Sequence, residues 1–97
     1  MSEVSFHPGA RDDYANAYAW YFNRKQTAAV DFESAFDKAL HEIVDAPDRW
    51  HPVDKRHRTH LLERFPYQII YRVIAGSIVV IAVAHARRRP GYWKDRN

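Results

Sequence analysis

Large apolar residues fall at Tyr14, Tyr18, Tyr21 and Phe22, the i, i+4, i+7, i+8 spacing of one helix face. The helix this predicts runs from Ala10 to about Lys25, entered through Pro8-Gly9, with Asp12 and Asp13 placed in its first turn, where carboxylates suit the positive end of the helix dipole. A second stripe, Ala29, Phe32, Phe36, Ala39, Leu40 and Ile43, keeps the same period until Pro47, and Asn23 to Thr27 form a short connection, so two antiparallel helices are expected. Period two takes over later: Tyr67, Ile69, Tyr71 and Val73 alternate with Gln68, Ile70 and Arg72, and Ser77 to Ala84 is rich in β-branched residues. Ala75-Gly76-Ser77 turns one strand into the next, and a weaker strand, Arg58 to Arg64, precedes Pro66. Val4-Ser5-Phe6 is long enough only for a short edge strand, and residues 46–57, with two prolines and two histidines among few aliphatics, form the main loop. The pattern is β-α-α-β-β-β, an α+β fold in which a helical hairpin packs on one face of an antiparallel sheet and a basic C-terminal tail follows.

At 97 residues the chain holds one domain, residues 1–97. With no cysteine, disulfides, thiolate zinc sites and cysteine nucleophiles are excluded, and stability rests on packing that 14 aromatic residues can supply. No run reaches the roughly 18 to 20 apolar residues of a membrane span, and Met1-Ser2-Glu3-Val4 lacks the charged and apolar regions of a signal peptide, so a cytoplasmic protein without membrane contact is expected. The formal charge of +3 conceals a division. Residues 1–50 carry five Lys/Arg against nine Asp/Glu, and residues 51–97 carry ten against three, so the halves stand at −4 and +7. The basic half suits nucleic acid or an acidic protein.

The basic charge concentrates after the last strand, where Arg87, Arg88 and Arg89 precede Pro90-Gly91 and the pair Tyr92-Trp93. Guanidinium groups bind phosphate in a bidentate fashion and exposed rings stack on bases, so these five side chains are the candidate target-binding set. A solubilising tail, or a Trp93 that covers the sheet, is the plainer alternative. His85, at the strand end, is a candidate general acid or base toward an RNA 2′-hydroxyl, and Arg58, Arg64 and Arg72 would extend the basic surface. His51, His57 and His60 near Asp54 do not have the spacing of a zinc site, so no metal is expected. The acidic residues fall mostly off the apolar stripes and read as a wet helix face. No Gly-rich phosphate loop is present, and Ser2, Ser5, Ser34 and Ser77 lack a nucleophile motif, so no nucleotide cofactor or serine hydrolase chemistry is implied.

Three segments, His7-Pro8-Gly9-Ala10-Arg11-Asp12-Asp13, the stretch from Arg64 to Val73 and the stretch from His85 to Trp93, together resemble the RelE/ParE toxin superfamily. The resemblance spans nearly the whole chain. It implies the toxin half of a bacterial type II toxin–antitoxin module, with a cognate antitoxin that folds on binding and forms a heterotetramer or larger complex with it.

The superfamily divides into RelE-like ribosome-dependent mRNA endonucleases and ParE-like proteins that poison DNA gyrase. RelE-like members carry an arginine after the tyrosine that opens the central strand, and this chain has Gln68 there. They place lysines on the preceding strand, where Thr59-His60-Leu61-Leu62 has none, and Lys94 stands where a tyrosine is expected, although Arg88 matches. On the nuclease reading His85, Arg72 and Arg88, with His60, would supply the chemistry on ribosome-bound mRNA. The Phe65-Pro66-Tyr67 opening and the ending around Arg87, Arg88 and Arg89 are closer to ParE-like members, which implies gyrase as target and binding rather than catalysis. A protein of this fold that binds its antitoxin without toxicity is the third alternative.

Overall fold

The computed structural model describes residues 3–97; Met1 and Ser2, where the signal-peptide expectation begins, lie outside it. The element order is β1 (Val4–Phe6), α1 (Pro8–Arg24), α2 (Gln26–Asp45), β2 (His51–Pro52), β3 (Arg58–Leu61), β4 (Tyr67–Ile74) and β5 (Ser77–His85). The α+β architecture is the one the periodicities predict. The sheet, however, is mixed and five-stranded, in the order β1-β5-β4-β3-β2, because β1 lies parallel beside the last strand, with Val4 opposite Ile78. The added strand β2 is two residues of the main loop, paired with Arg58 and Thr59; its proline is tolerated because it sits on the outer edge.

Helix α1 starts earlier than the tyrosine stripe indicates. Pro8 holds the first helical position, where its missing N–H costs nothing, and the His7 Nδ1 accepts from the Gly9 N–H at 2.9 Å. Asp12 and Asp13 therefore lie beyond the first turn, and the dipole reading of them is corrected. The face α1 buries fully is Ala10, Asp13 and Ala17. The tyrosines stand half-buried toward α2, and Phe22 is exposed. Between the helices only Lys25 leaves helical geometry, in extended conformation, so the connection is shorter than the expected 23–27. Tyr14, Phe32, Phe36 and Tyr21 interlock with Phe65 and Tyr67 through ring centroids 4.8–5.6 Å apart, which binds the hairpin to the sheet.

The strand expected over 58–64 ends at Leu61, because Arg64 turns the chain with φ of 68°. Strands β4 and β5 pair antiparallel from Tyr67 opposite His85 to Ile74 opposite Ser77. Ile70 faces Ala82 while Tyr71 faces Val80, so Ile81 has no partner and forms a β-bulge. The bulge moves Ile81 to the face away from the helices. There Ile70, Ile81, Ala82 and Ala84 form a second apolar cluster with Trp93. Among the described residues no helix is long and apolar enough to cross a membrane.

Candidate functional site

The site is built where β5 runs out beyond the end of β1. Past Val80, whose carbonyl accepts from the His7 N–H at 2.9 Å, no strand among the described residues covers that edge of β5. Side chains do so instead. The Asp13 carboxylate accepts from the Val83 N–H at 3.1 Å, and Arg96 Nη1 donates to the Ile81 carbonyl at 3.0 Å and to Asp13 Oδ2 at 2.8 Å. The Tyr92 hydroxyl donates to the same oxygen at 3.0 Å. An unpaired strand edge invites foreign pairing, and this clasp satisfies its donor and acceptor internally. Gly9 makes room for it, since a Cβ there would meet the Arg96 guanidinium at 2.6 Å.

The clasp fixes the tail. Ala86 N–H donates to the Pro66 carbonyl at 2.8 Å, Arg88 N–H to the His85 carbonyl at 2.9 Å, and a series of turns through Gly91, at φ of 75°, brings Tyr92 and Trp93 back to the sheet. Trp93 is 4% exposed, packed on the second apolar cluster with its ring centroid 4.7 Å from that of His57. The expectation that Trp93 offers a stacking face is therefore corrected: the apolar face left by the bulge needs a cover, and Trp93 is that cover. Tyr92 is half-buried. Burial, then the Asp13 charge and hydrogen bond, push its hydroxyl up to about 12. Arg87, Arg88 and Arg89 all stay exposed, Arg88 with its guanidinium 4.0 Å from the Tyr92 ring centroid.

A cavity of about 500 Å3 opens beside the clasp, between α1 and the far end of β5, with Trp20, Tyr21, Tyr67, His85 and Arg88 in its walls. His85 Nδ1 accepts from the Arg87 N–H at 3.0 Å, which places the proton of the neutral imidazole on Nε2. In that tautomer Nε2 donates and has no lone pair to take a proton. A smaller cleft of about 250 Å3 lies on the other side of the tail, floored by Gln68, Ile70 and Ala84.

His85 and Arg88 thus come together, but Arg72 does not join them. Arg72 pairs with Val79 and His85 with Tyr67, so Arg72 lies five residues along β4, about 16 Å at ~3.3 Å per residue. The grouping of His85, Arg72 and Arg88 expected for a nuclease is not formed. His60 is likewise engaged elsewhere, its Nε2 3.0 Å from Glu42 Oε1 and its ring stacked 3.7 Å from Trp50. Gln68, where RelE-like members carry arginine, accepts from the Thr59 hydroxyl at 2.7 Å. Arg58 donates to the Trp50 carbonyl at 2.7 Å, a structural role. His57 is buried with Nδ1 2.9 Å from Asp54, so His57 and His60 go to separate carboxylates, and His51 stays exposed. Asp54 also accepts from the Arg56 and His57 N–H groups, and these bonds, that of Arg56 foremost, hold its carboxyl down at about 2.

Sequence reasoning missed Asp13 as the hub and Arg96 as its partner. The available signal was Asp13 standing between Ala10 and Ala17 on one helix face, a carboxylate set in a stripe of small buried residues.

A family model described as the ParE toxin of the type II toxin–antitoxin system parDE matches residues 4–90. Toxin ParE2 of two strains of Mycobacterium tuberculosis is 28% identical over 85 residues, covering 87% of this chain and 81% of its own. Among solved structures, one of the chromosomal ParDE system from P. aeruginosa superposes with a TM-score of 0.75 at 17% identity, covering 88% of this chain and 96% of that one. The isolated E. coli RelE toxin superposes with a TM-score of 0.60 at 20% identity, covering 97% and 94%.

Proposed function

Since the chain belongs to the ParE family of type II toxin–antitoxin toxins, we propose that it arrests growth by binding DNA gyrase and trapping its cleaved-DNA state. A cognate antitoxin, assembled with it as a heterotetramer or larger complex in the cytoplasm, relieves the arrest. The observation that carries the gyrase reading is the presentation of Arg87, Arg88 and Arg89 on a turn anchored by the Ala86 N–H on the Pro66 carbonyl at one end and by the Asp13–Arg96 pair at the other. A poison that docks on an enzyme–DNA complex needs a preorganised cationic surface more than acid/base groups of its own. The antitoxin reading draws further support from large apolar groups left at the surface, Leu61 at 68% exposure among them, which a segment folding on binding would cover.

A RelE-like ribosome-dependent mRNA nuclease is the second reading, and the shared cavity of His85 and Arg88 favours it. Against it stand the His85 tautomer and the distance of Arg72. The two separate in a pulse-label time course after the chain is induced in bacteria without its antitoxin. Early loss of DNA synthesis, with inhibition of supercoiling by the purified protein, supports gyrase. Early loss of protein synthesis with intact supercoiling activity would overturn that reading in favour of the nuclease. Growth indifferent to induction identifies an antitoxin binder without toxicity.

A further inference from the structure

Among the described residues one buried side-chain polar atom has no hydrogen-bond partner: Nε2 of His57, in a side chain 7% exposed. The other ring nitrogen is committed. Nδ1 lies 2.9 and 3.0 Å from the two oxygens of Asp54, whose carboxyl is held down at about 2, and a carboxylate can only accept, so Nδ1 carries a proton. In the neutral ring Nε2 is then a bare acceptor shut away from any donor, an arrangement that folded proteins ordinarily avoid. The ring lies against Trp93, centroid to centroid 4.7 Å at a tilt of 60°. A proton on Nε2 replaces the lone pair by an N–H, which aromatic surface can accept, and makes the ring a cation between the Asp54 charge and the indole. Burial opposes that charge, and both contacts favour it. The other charged groups around the ring are Asp48 before β2, Lys55 and Arg56 of its own loop and Arg58 of β3, all in the walls of one cleft of about 170 Å3 with it. Arg58 is spent on the Trp50 carbonyl, and Tyr71 of β4, in the same cleft, donates its hydroxyl to the Pro47 carbonyl at 2.6 Å. Lys94 follows Trp93 in the tail, and Asp54 alone reaches a nitrogen of the ring.

The arginine turn depends on this contact. The Ala86 N–H on the Pro66 carbonyl fixes its start, and Trp93, seated on the second apolar cluster, fixes its return. The loop that carries His57 is itself closed by the Val53 N–H on the His57 carbonyl at 2.9 Å, so the ring presses on Trp93 from a fixed base. We propose that His57, oriented by Asp54, is a positioning residue for the turn: with a proton on Nε2 it pins Trp93 to the sheet, and on losing that proton it lets Trp93 and the turn loosen. Rising pH, through the range where histidine changes charge, slackens the surface that carries Arg87, Arg88 and Arg89. The latch operates whether the turn meets gyrase or another target, and is read without either.

The test uses the full-length, isotope-labelled protein, whose three indole N–H signals report separately on Trp20, Trp50 and Trp93 in NMR spectra. In the parent the Trp93 signal and the Arg88 and Gly91 amides should move between about pH 5 and 8 with the midpoint shown by the His57 ring. Asp54→Asn, at a partly exposed side chain, removes the counter-charge and should shift that midpoint to lower pH. His57→Gln should abolish the movement at Trp93. Tryptic cleavage after Arg87 and Arg88 gives the second readout, taken as the ratio of parent to His57→Gln at the same pH so that the protease's own profile cancels. That ratio should be about fivefold lower at about pH 6 than at about pH 8, the effect of one cation–aromatic contact. A Trp93 signal fixed across the range would overturn the latch. So would one that follows the midpoint of His85, which shares a cleft with Trp93, or an equal cleavage ratio at both pH values. Should His57→Gln not fold, the midpoints of the parent and of Asp54→Asn decide alone.

Discussion

Asp13 and Arg96 stand 83 residues apart in sequence and 2.8 Å apart in space, joined across the uncovered edge of β5. Asp13 is buried and Arg96 partly so, with side-chain exposures of 7% and 19%, and the Asp13 carboxylate also serves the Val83 N–H and the Tyr92 hydroxyl. Removing one member leaves the other without its counter-charge, although Arg96 keeps the Ile81 carbonyl and Asp13 keeps the Val83 N–H and the Tyr92 hydroxyl. Asp13→Ala is therefore expected to cost about 3–5 kcal/mol in urea unfolding, and Asp13→Ala with Arg96→Met less than the two singles combined. Additive losses in that cycle would mean the two residues do not act as a pair.

The tail should loosen in alkali. Tyr92, Tyr14 and Tyr71 all have hydroxyls pushed up to about 12, in each case by burial first. A raised folded pKa means that their contribution is complete below the unfolded value near 10 and is lost as pH rises from 10 through 12. Trp93 fluorescence should report the release of the tail in that window. Tyr92→Phe should make stability fall less steeply there; an unchanged slope would remove Tyr92 from the transition.

The loop before β3 should respond to acid. Asp54 is held down at about 2 by the Arg56 N–H first and by His57. A depressed carboxyl contributes fully above its unfolded value, 3.8, and its contribution is lost as pH falls from about 4 through 2. Since His57 contacts Trp93, the thermal midpoint and Trp93 emission should both shift in that range. Asp54→Asn should flatten the dependence, and a full acid response in that variant would place its origin elsewhere.

At the β4–β5 hairpin Ala75 adopts φ of 50° before Gly76 at 81°. Two positive φ values in a two-residue loop suit Asn-Gly, and alanine carries a steric cost there. Ala75→Asn should raise stability by roughly 0.5–1 kcal/mol in chemical unfolding. A neutral or lower value would show that strain at this turn is already relieved by the flanking pairs.

Truncating the tail is a poor probe of its charge, because it would also remove Trp93 from the second apolar cluster and Arg96 from the edge of β5. Arg87→Ala with Arg89→Ala leaves both in place. That variant should fold like the parent and lose at least tenfold in supercoiling inhibition. Full inhibition would take these two arginines out of target binding.

The helices and the two long strands were legible because Ala29, Phe32, Phe36, Ala39 and Ile43, and the alternation at Tyr67 to Val73, carry their periods in apolar groups. The two-residue β2 was not, since its existence depends on β3 offering an edge. Asp13 was misread for a related reason: charge on a helix is ordinarily a solvent signal, and only a partner 83 residues later makes burial tolerable. Trp93 posed the same difficulty in reverse. In sequence it stands in a basic tail between Arg89 and Arg96, but in space it meets Ile70, Ile81 and Ala84, brought there by a bulge that no local pattern announces. The candidate site was legible as a list of cations and illegible as an arrangement, and His85 with Arg88 but without Arg72 is the result.

Strand β1 has a further consequence, for the order of events in folding. Val4 finds its partner only when Ile78 exists, and the edge beyond is guarded only when Arg96 does. Contacts between distant parts of a chain form late, after the loop that separates them has been closed. The helical hairpin can assemble early from its own neighbours, but during synthesis the first strand must wait beside it without a sheet to join. A chain halted before Arg96 carries an open strand edge into the cell, exposed to aggregation and proteolysis. Translation through Arg96 is thus what closes that edge.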